Sequence, residues 1–187
     1  NYFETYTPTL ALSSFRILLA ISSAKRLNIH SIDVNTAFLT GPLDCVVYMD
    51  LPPGLDASML SDEDAQALQL DSACLLLRKG VYGLVQAGNM YWNHFKRHMV
   101  AHGFKCIYSD PCVLIKKLGD RIIIIACYVD DINILYKNPS DLQWCMKTIG
   151  KLFKFKNLGD ISLCLGLQIG RLPNGCYHVS QTTYIER

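Results

Sequence analysis

The run Ile122-Ile123-Ile124-Ile125-Ala126-Cys127-Tyr128-Val129 leads straight into Asp130-Asp131, and then into Ile132-Asn133-Ile134-Leu135. No other stretch restricts the fold so strongly. Short apolar runs of this kind form buried strands, and a buried, unpaired carboxylate is costly. The two carboxylates must therefore occupy a turn, meet cations, or both. A tight hairpin with Asp130-Asp131 at its tip satisfies both demands. A plain polar turn is the bland alternative. Such turns usually bring Gly or Asn, and neither stands between the Asp pair and the flanking strands.

Asp33 ends a second strand-like segment, Ile29-His30-Ser31-Ile32-Asp33-Val34, and is followed by Asn35-Thr36-Ala37-Phe38. If that strand lies beside the hairpin, three carboxylates converge, raise one another's pKa and call for a divalent cation. Two Mg²⁺ on oxygen ligands (or Mn²⁺ as a substitute) lower the pKa of an attacking hydroxyl and neutralise a leaving pyrophosphate. No Gly-rich phosphate cradle is visible. The matching chemistry is in-line phosphoryl transfer by metals and positioning.

With 187 residues, half of them hydrophobic, the chain can bury one substantial core, so one domain is expected. The longest apolar run is far too short to span a bilayer, and no secretory signal is present, so no membrane partner is expected. The chain opens on Asn1 and stops at Tyr184-Ile185-Glu186-Arg187, where a helix is beginning; we read it as a piece of a longer polyprotein, cut at both ends.

None of the eight cysteines forms a C-x-x-C pair and most lie in apolar runs, which predicts reduced, buried, intracellular thiols. His94, His98 and His102 recur on one helix face and are expected to form a solvated or nucleic-acid-facing stripe. Charge is uneven: residues 1–75 hold 3 Lys/Arg against 9 Asp/Glu, and residues 76–187 hold 15 against 7, so −6 and +8 give the net +2. A basic half suits a polyanion.

Periodicity predicts a helix over Thr9–Lys25 that Asn28 ends, strands over Ile29–Val34, Val46–Leu51 and Cys74–Arg78, and an acidic surface excursion over 55–72. A helix follows over Gln86–His102, terminated by Gly103. Strands Cys112–Lys116, Arg121–Val129 and Ile132–Tyr136 come next, then a helix over Asp141–Phe153 and a last hairpin of Ile161–Gly170 with Cys176–Ser180. This order fits an α+β fold: an antiparallel sheet with helices on one face, of the split β-α-β type.

Seven blocks, in order, resemble copia-type retrotransposon reverse transcriptases over nearly the whole chain. They are Asp33-Val34-Asn35-Thr36-Ala37-Phe38-Leu39-Thr40-Gly41; Val47-Tyr48-Met49 with Pro53-Gly54; Val81-Tyr82-Gly83-Leu84-Val85-Gln86-Ala87; Ser109-Asp110-Pro111-Cys112; Tyr128-Val129-Asp130-Asp131; Leu158-Gly159-Asp160 with Leu165-Gly166-Leu167-Gln168-Ile169; and Ser180-Gln181 with Tyr184-Ile185. The resemblance implies a palm with part of the fingers over residues 1–187, without thumb or RNase H. It implies an RNA-directed DNA polymerase that uses a primed RNA or DNA template and deoxynucleotides, works with the rest of the Pol polyprotein, and resides in cytoplasmic virus-like particles and the nucleus. Asp33 and Asp130 would hold both metals with the Val34 carbonyl, and Asp131 would be the third carboxylate. Phe38 would reject a 2′-hydroxyl. Tyr82, Gly83 and Gln86 would lie near nucleotide and template, with Gly83 permitting close approach. Leu165, Gly166 and Leu167 would grip the primer end; Lys154 or Lys156 would protonate pyrophosphate, with a plain surface role the favoured alternative for both.

Ala11, Val85 and Gly88-Asn89 depart from the family pattern, which carries a basic residue, Lys and Pro-Arg there; Arg16, Arg78 and Lys79 are candidate compensators. A decayed or domesticated remnant that only binds nucleic acid is therefore the alternative. A nucleotidyl cyclase fits worse, because no Gly-Gly precedes the acidic pair.

Overall fold

The computed structural model describes residues 6–67 and 73–186. Its centre is a six-stranded antiparallel sheet, in the order β4-β5-β6-β7-β1-β8. The strands are β1 (Asn28–Val34), β4 (Lys105–Cys106), β5 (Val113–Leu118), β6 (Arg121–Tyr128), β7 (Asp131–Tyr136) and β8 (Phe155–Asp160). Along β6 and β7, consecutive residues Ile123–Cys127 and Ile132–Leu135 are all at most 2% exposed. Neighbouring strand residues point to opposite faces, so both faces are covered there.

Three long helices pack with this sheet: α1 (Leu12–Lys25), α3 (Ala87–Ala101) and α4 (Pro139–Gly150). Phe15, Tyr91, Phe95, Cys145 and Ile149 from them share one core with the central strands. A two-stranded sheet of β2 (Pro42–Met49) and β3 (Leu75–Lys79) stands apart, with Val46, Tyr48 and Leu76 exposed. The short α2 (Asp62–Ala67) lies in the acidic excursion, whose residues 68–72 fall outside the described ones. A three-stranded sheet of β9 (Leu163–Cys164), β10 (Leu167–Arg171) and β11 (Tyr177–Ser180) follows, then the short α5 (Thr182–Ile185).

Strand β2 runs over Pro42–Met49 rather than the expected Val46–Leu51, and several other bounds are set by local interactions. The first helix starts at Leu12 because Ala11 is extended, its N–H donated to the buried carboxylate of Asp110 at 3.0 Å. It ends at Lys25 as expected, with Arg26, left-handed at φ 53°, as its C-cap. The fourth begins at Pro139, whose fixed φ suits a first helical position. It stops at Gly150, freeing Phe153 to stack on Tyr91 and Phe95. The predicted Ile161–Gly170 strand is two strands, folded at Leu165-Gly166, both at positive φ. Strand β8 carries no alternating apolar signal because it is a mostly exposed edge.

Candidate active site

Register assembles the site. Strand β1 lies between β7 and β8, so Asp33 faces Asp131 on one side and Lys156 on the other. Directly opposed residues of antiparallel strands project to the same face, their Cβ atoms ~4.5–5.5 Å apart. Tyr128 pairs with Asp131, so the two-residue turn is Val129-Asp130, one residue earlier than the expected Asp130-Asp131 tip, and Asp131 opens β7. That turn is tied to β1 as well, because Val34 N–H donates to the Asp130 carbonyl at 2.9 Å. Val129 adopts φ 55°, a conformation β-branched residues avoid at a cost of order 1–3 kcal/mol. The paired strands on either side hold that strain in place, and Asp130 is exposed at the tip.

The carboxylates repel one another. Partial burial, then the charges of Asp130 and Asp33, raise the Asp131 carboxyl above its ordinary value. Tyr91, 1% exposed, lies close enough to feel Cys127, Asp130 and Asp33, and burial above all pushes its hydroxyl up. That hydroxyl finds no hydrogen-bond partner among the described residues. Among them, no group of three or more His, Cys, Asp or Glu side chains stands poised to hold a metal ion. The all-oxygen donor set and the repulsion still fit Mg²⁺. That ion is commonly held by one or two carboxylates, with waters and substrate phosphates completing the shell.

Phe38, in a short 3-10 turn (Ala37–Leu39), meets Tyr82 edge-on with ring centroids 5.5 Å apart. Gly80 makes this meeting possible: a Cβ there would lie 2.6 Å from the Phe38 carbonyl. Gly83 stands in open space, with nothing within 4 Å of a Cβ position, at a backbone angle, φ 89°, that by itself favours glycine. Gln86 is buried rather than open to a ligand; its Nε2 lies 3.8 Å from Cys45 Sγ and its Oε1 is unpartnered among the described residues. Leu165 and Gly166 turn at the cleft that Asp131 also lines, but Leu167 is 2% exposed and belongs to the core. Ser31, Tyr128, Asp131, Cys164, Leu165 and Gly166 line one cleft of about 480 Å³.

The histidine stripe is a correction. His98 lies 2.9 Å from the Thr148 carbonyl, His94 packs on Phe153 and His102 on Trp144, so the stripe is a half-buried seam against α4 and its following turn, not a solvated face. Likewise Cys45, Cys74 and Cys176 are exposed, so burial holds only for part of the cysteine set. Two departures acquire a structural role. A Cβ on Gly88 would lie 2.5 Å from Thr7 Oγ1, and Asn89 donates to the Tyr6 carbonyl at 2.6 Å, so both hold the incoming chain. Asp110 accepts from Ala11 N–H and Cys112 N–H, so its block is an anchor. Periodicity missed Asn133, which is 2% exposed; the signal was a lone amide one strand period after Asp131.

The reverse transcriptase (RNA-dependent DNA polymerase) family model matches residues 1–187. The chain belongs to this family. It is 32% identical over 185 residues to the retrovirus-related Pol polyprotein from transposon RE1 of Arabidopsis thaliana, covering 99% of this chain. The corresponding polyprotein of transposon RE2 is 33% identical over 98% of the chain, and that of TNT 1-94 from Nicotiana tabacum 31% over 100%. These relatives are copia-type, and the chain spans only 12% of the length of either Arabidopsis protein and 14% of the tobacco one. No solved structure matches.

Proposed function

We propose that this chain is the palm and part of the fingers of a copia-type RNA-directed DNA polymerase, joining deoxynucleotides to a primer 3′ end. The observation that carries the reading is the Asp33–Asp131 register, with Asp130 fastened alongside through Val34 N–H. The central sheet with α1, α3 and α4 is the palm, and the β2–β3 hairpin belongs to the fingers.

In this reading Asp33, Asp130 and Asp131, with the Val34 carbonyl, hold two Mg²⁺. When bound, these ions lower the pKa of the attacking 3′-hydroxyl and neutralise charge on the leaving pyrophosphate. The protein supplies the positioning. The Phe38 ring, braced by Tyr82, closes the space a 2′-hydroxyl would need. Leu165 and Gly166 support the primer end over the cleft they share with Asp131. Lys154 or Lys156 gives a proton to pyrophosphate: Lys156 stands opposite Asp33, and Lys154, one strand period away, continues the same ladder through its carbonyl, which accepts from Asn35 N–H at 3.0 Å. Template, primer, deoxynucleotides and the remaining polyprotein are its partners, in an intracellular particle.

The test is primer extension on an RNA template with Mg²⁺ or Mn²⁺, in the full polyprotein context. Asp130→Asn keeps size but removes a metal-binding charge, and should cost at least ~4 kcal/mol of transition-state stabilisation, about a thousandfold in rate. Duplex binding rests on cations meeting phosphates and should not weaken. A second reading, a remnant that only binds nucleic acid, is favoured by the missing cations at Ala11 and Val85. It prevails if wild type and variant both bind the duplex and neither extends it.

A further inference from the structure

Asn133 is an amide in the middle of a strand whose neighbours Ile132 and Ile134 are fully buried. Such a group is costly unless both ends are hydrogen-bonded, and here both are. Its Oδ1 accepts from Ser31 Oγ at 2.7 Å, and its Nδ2 donates to Cys164 Sγ at 3.3 Å. Ser31 faces Asn133 one rung below the Asp33–Asp131 pair, on the same face of the sheet, since each lies two residues from its carboxylate. Cys164 is the last residue of β9 before the Leu165-Gly166 turn.

The placement of this link matters because, among the described residues, β9 pairs only with β10 and shares no ladder with the six-stranded sheet. The small sheet is fastened at its far end: Arg171 bonds Asn28, and Tyr177 bonds the Leu27 carbonyl and Ser23. Ile161 N–H reaches the Ile29 carbonyl three residues before Cys164. At the near end, beside the carboxylates, the side-chain bond from Asn133 joins the turn to the strand bearing Asp131.

We propose that Asn133 is a positioning residue: by bridging Ser31 and Cys164 it holds the Leu165-Gly166 turn at a set distance from the Asp33–Asp131 pair, and so sets where a primer end meets them. The proposal rests on the polymerase reading for its consequence, and on the hydrogen-bond geometry for the link itself. Asn133→Leu combined with Ser31→Ala removes the bridge without leaving a stranded hydroxyl. Cys164→Val removes only its outer half, and Cys164→Ser retains an acceptor.

Two readouts on the full-length polyprotein test it. In amide hydrogen exchange, Cys164–Leu167 should exchange at least ~10-fold faster in the double variant and in Cys164→Val, near wild type in Cys164→Ser, with β6 unchanged, as loss of one local bond predicts. In primer extension, the same two variants should raise KM for primer–template about tenfold and leave KM for deoxynucleotide unchanged. Unchanged exchange at the turn in folded variants overturns the link. Faster exchange with an unchanged primer KM overturns its role at the primer. A wild type that extends no primer overturns the polymerase reading and with it that role, while exchange still decides whether the link exists.

Discussion

Replacing Asp131 by Asn should stabilise the metal-free protein while abolishing its proposed chemistry. Asp131 faces Asp33 across an antiparallel pair and adjoins Asp130. Taking ~5 Å between charges and an effective dielectric of ~40–80, each like-charge contact costs about 1 kcal/mol. The group is half-exposed, so solvent screening reduces the total for two contacts to roughly 1 kcal/mol. For a chain of this size that is a rise of about 2–4 °C in Tm.

The pH dependence has a definite sign. The folded-state pKa of Asp131 is raised, by burial first and by the two neighbouring charges next. The native state therefore holds that proton more tightly than the unfolded chain does. Its contribution to stability is full below the unfolded value of about 3.9 and is lost as pH rises through the raised native value. The advantage of Asn should accordingly vanish near pH 3 and be complete at neutrality. Thermal melting with a chelator, from pH 3 to 7.5, measures it. Added Mg²⁺ should raise the Tm of wild type more than that of the variant, because in the proposed site the ion would bind the native carboxylates. A variant that melts no higher than wild type at pH 7 without metal would refute the reasoning, as would a gain that persists undiminished at pH 3.

Phe38→Ala should raise ribonucleotide relative to deoxynucleotide incorporation, read by gel from mixed-nucleotide extension; unchanged selectivity in a folded protein leaves Phe38 as a packing partner of Tyr82. Asp110→Ala removes the acceptor of two backbone N–H groups at a site 3% exposed, and should cost about 3 kcal/mol by urea unfolding, since hydrogen bonds to charged groups are worth ~1.5–3 kcal/mol each. A loss below 1 kcal/mol would show that Asp110 does not anchor the start of α1.

The hairpin that carries the Asp pair was legible in the sequence because an Asp pair inside a long apolar run has few physical solutions. The same holds for the helix over residues 87–101, where apolar spacing and Gly103 mark face and end, and for β5, β6 and β7. Strand β8 was not legible: an exposed edge strand needs no apolar alternation, so Phe155–Asp160 left no periodic trace. Pairing, too, lies beyond a local reading. That Asp33 faces Asp131, that Lys156 completes the row, and that Asn133 reaches Cys164 are facts of register between segments about 100, 120 and 30 residues apart. Sequence alone determined which residues could carry charge into a strand end; only the tertiary register decided which of them stand side by side, because one residue of slip would turn every one of these side chains to the opposite face.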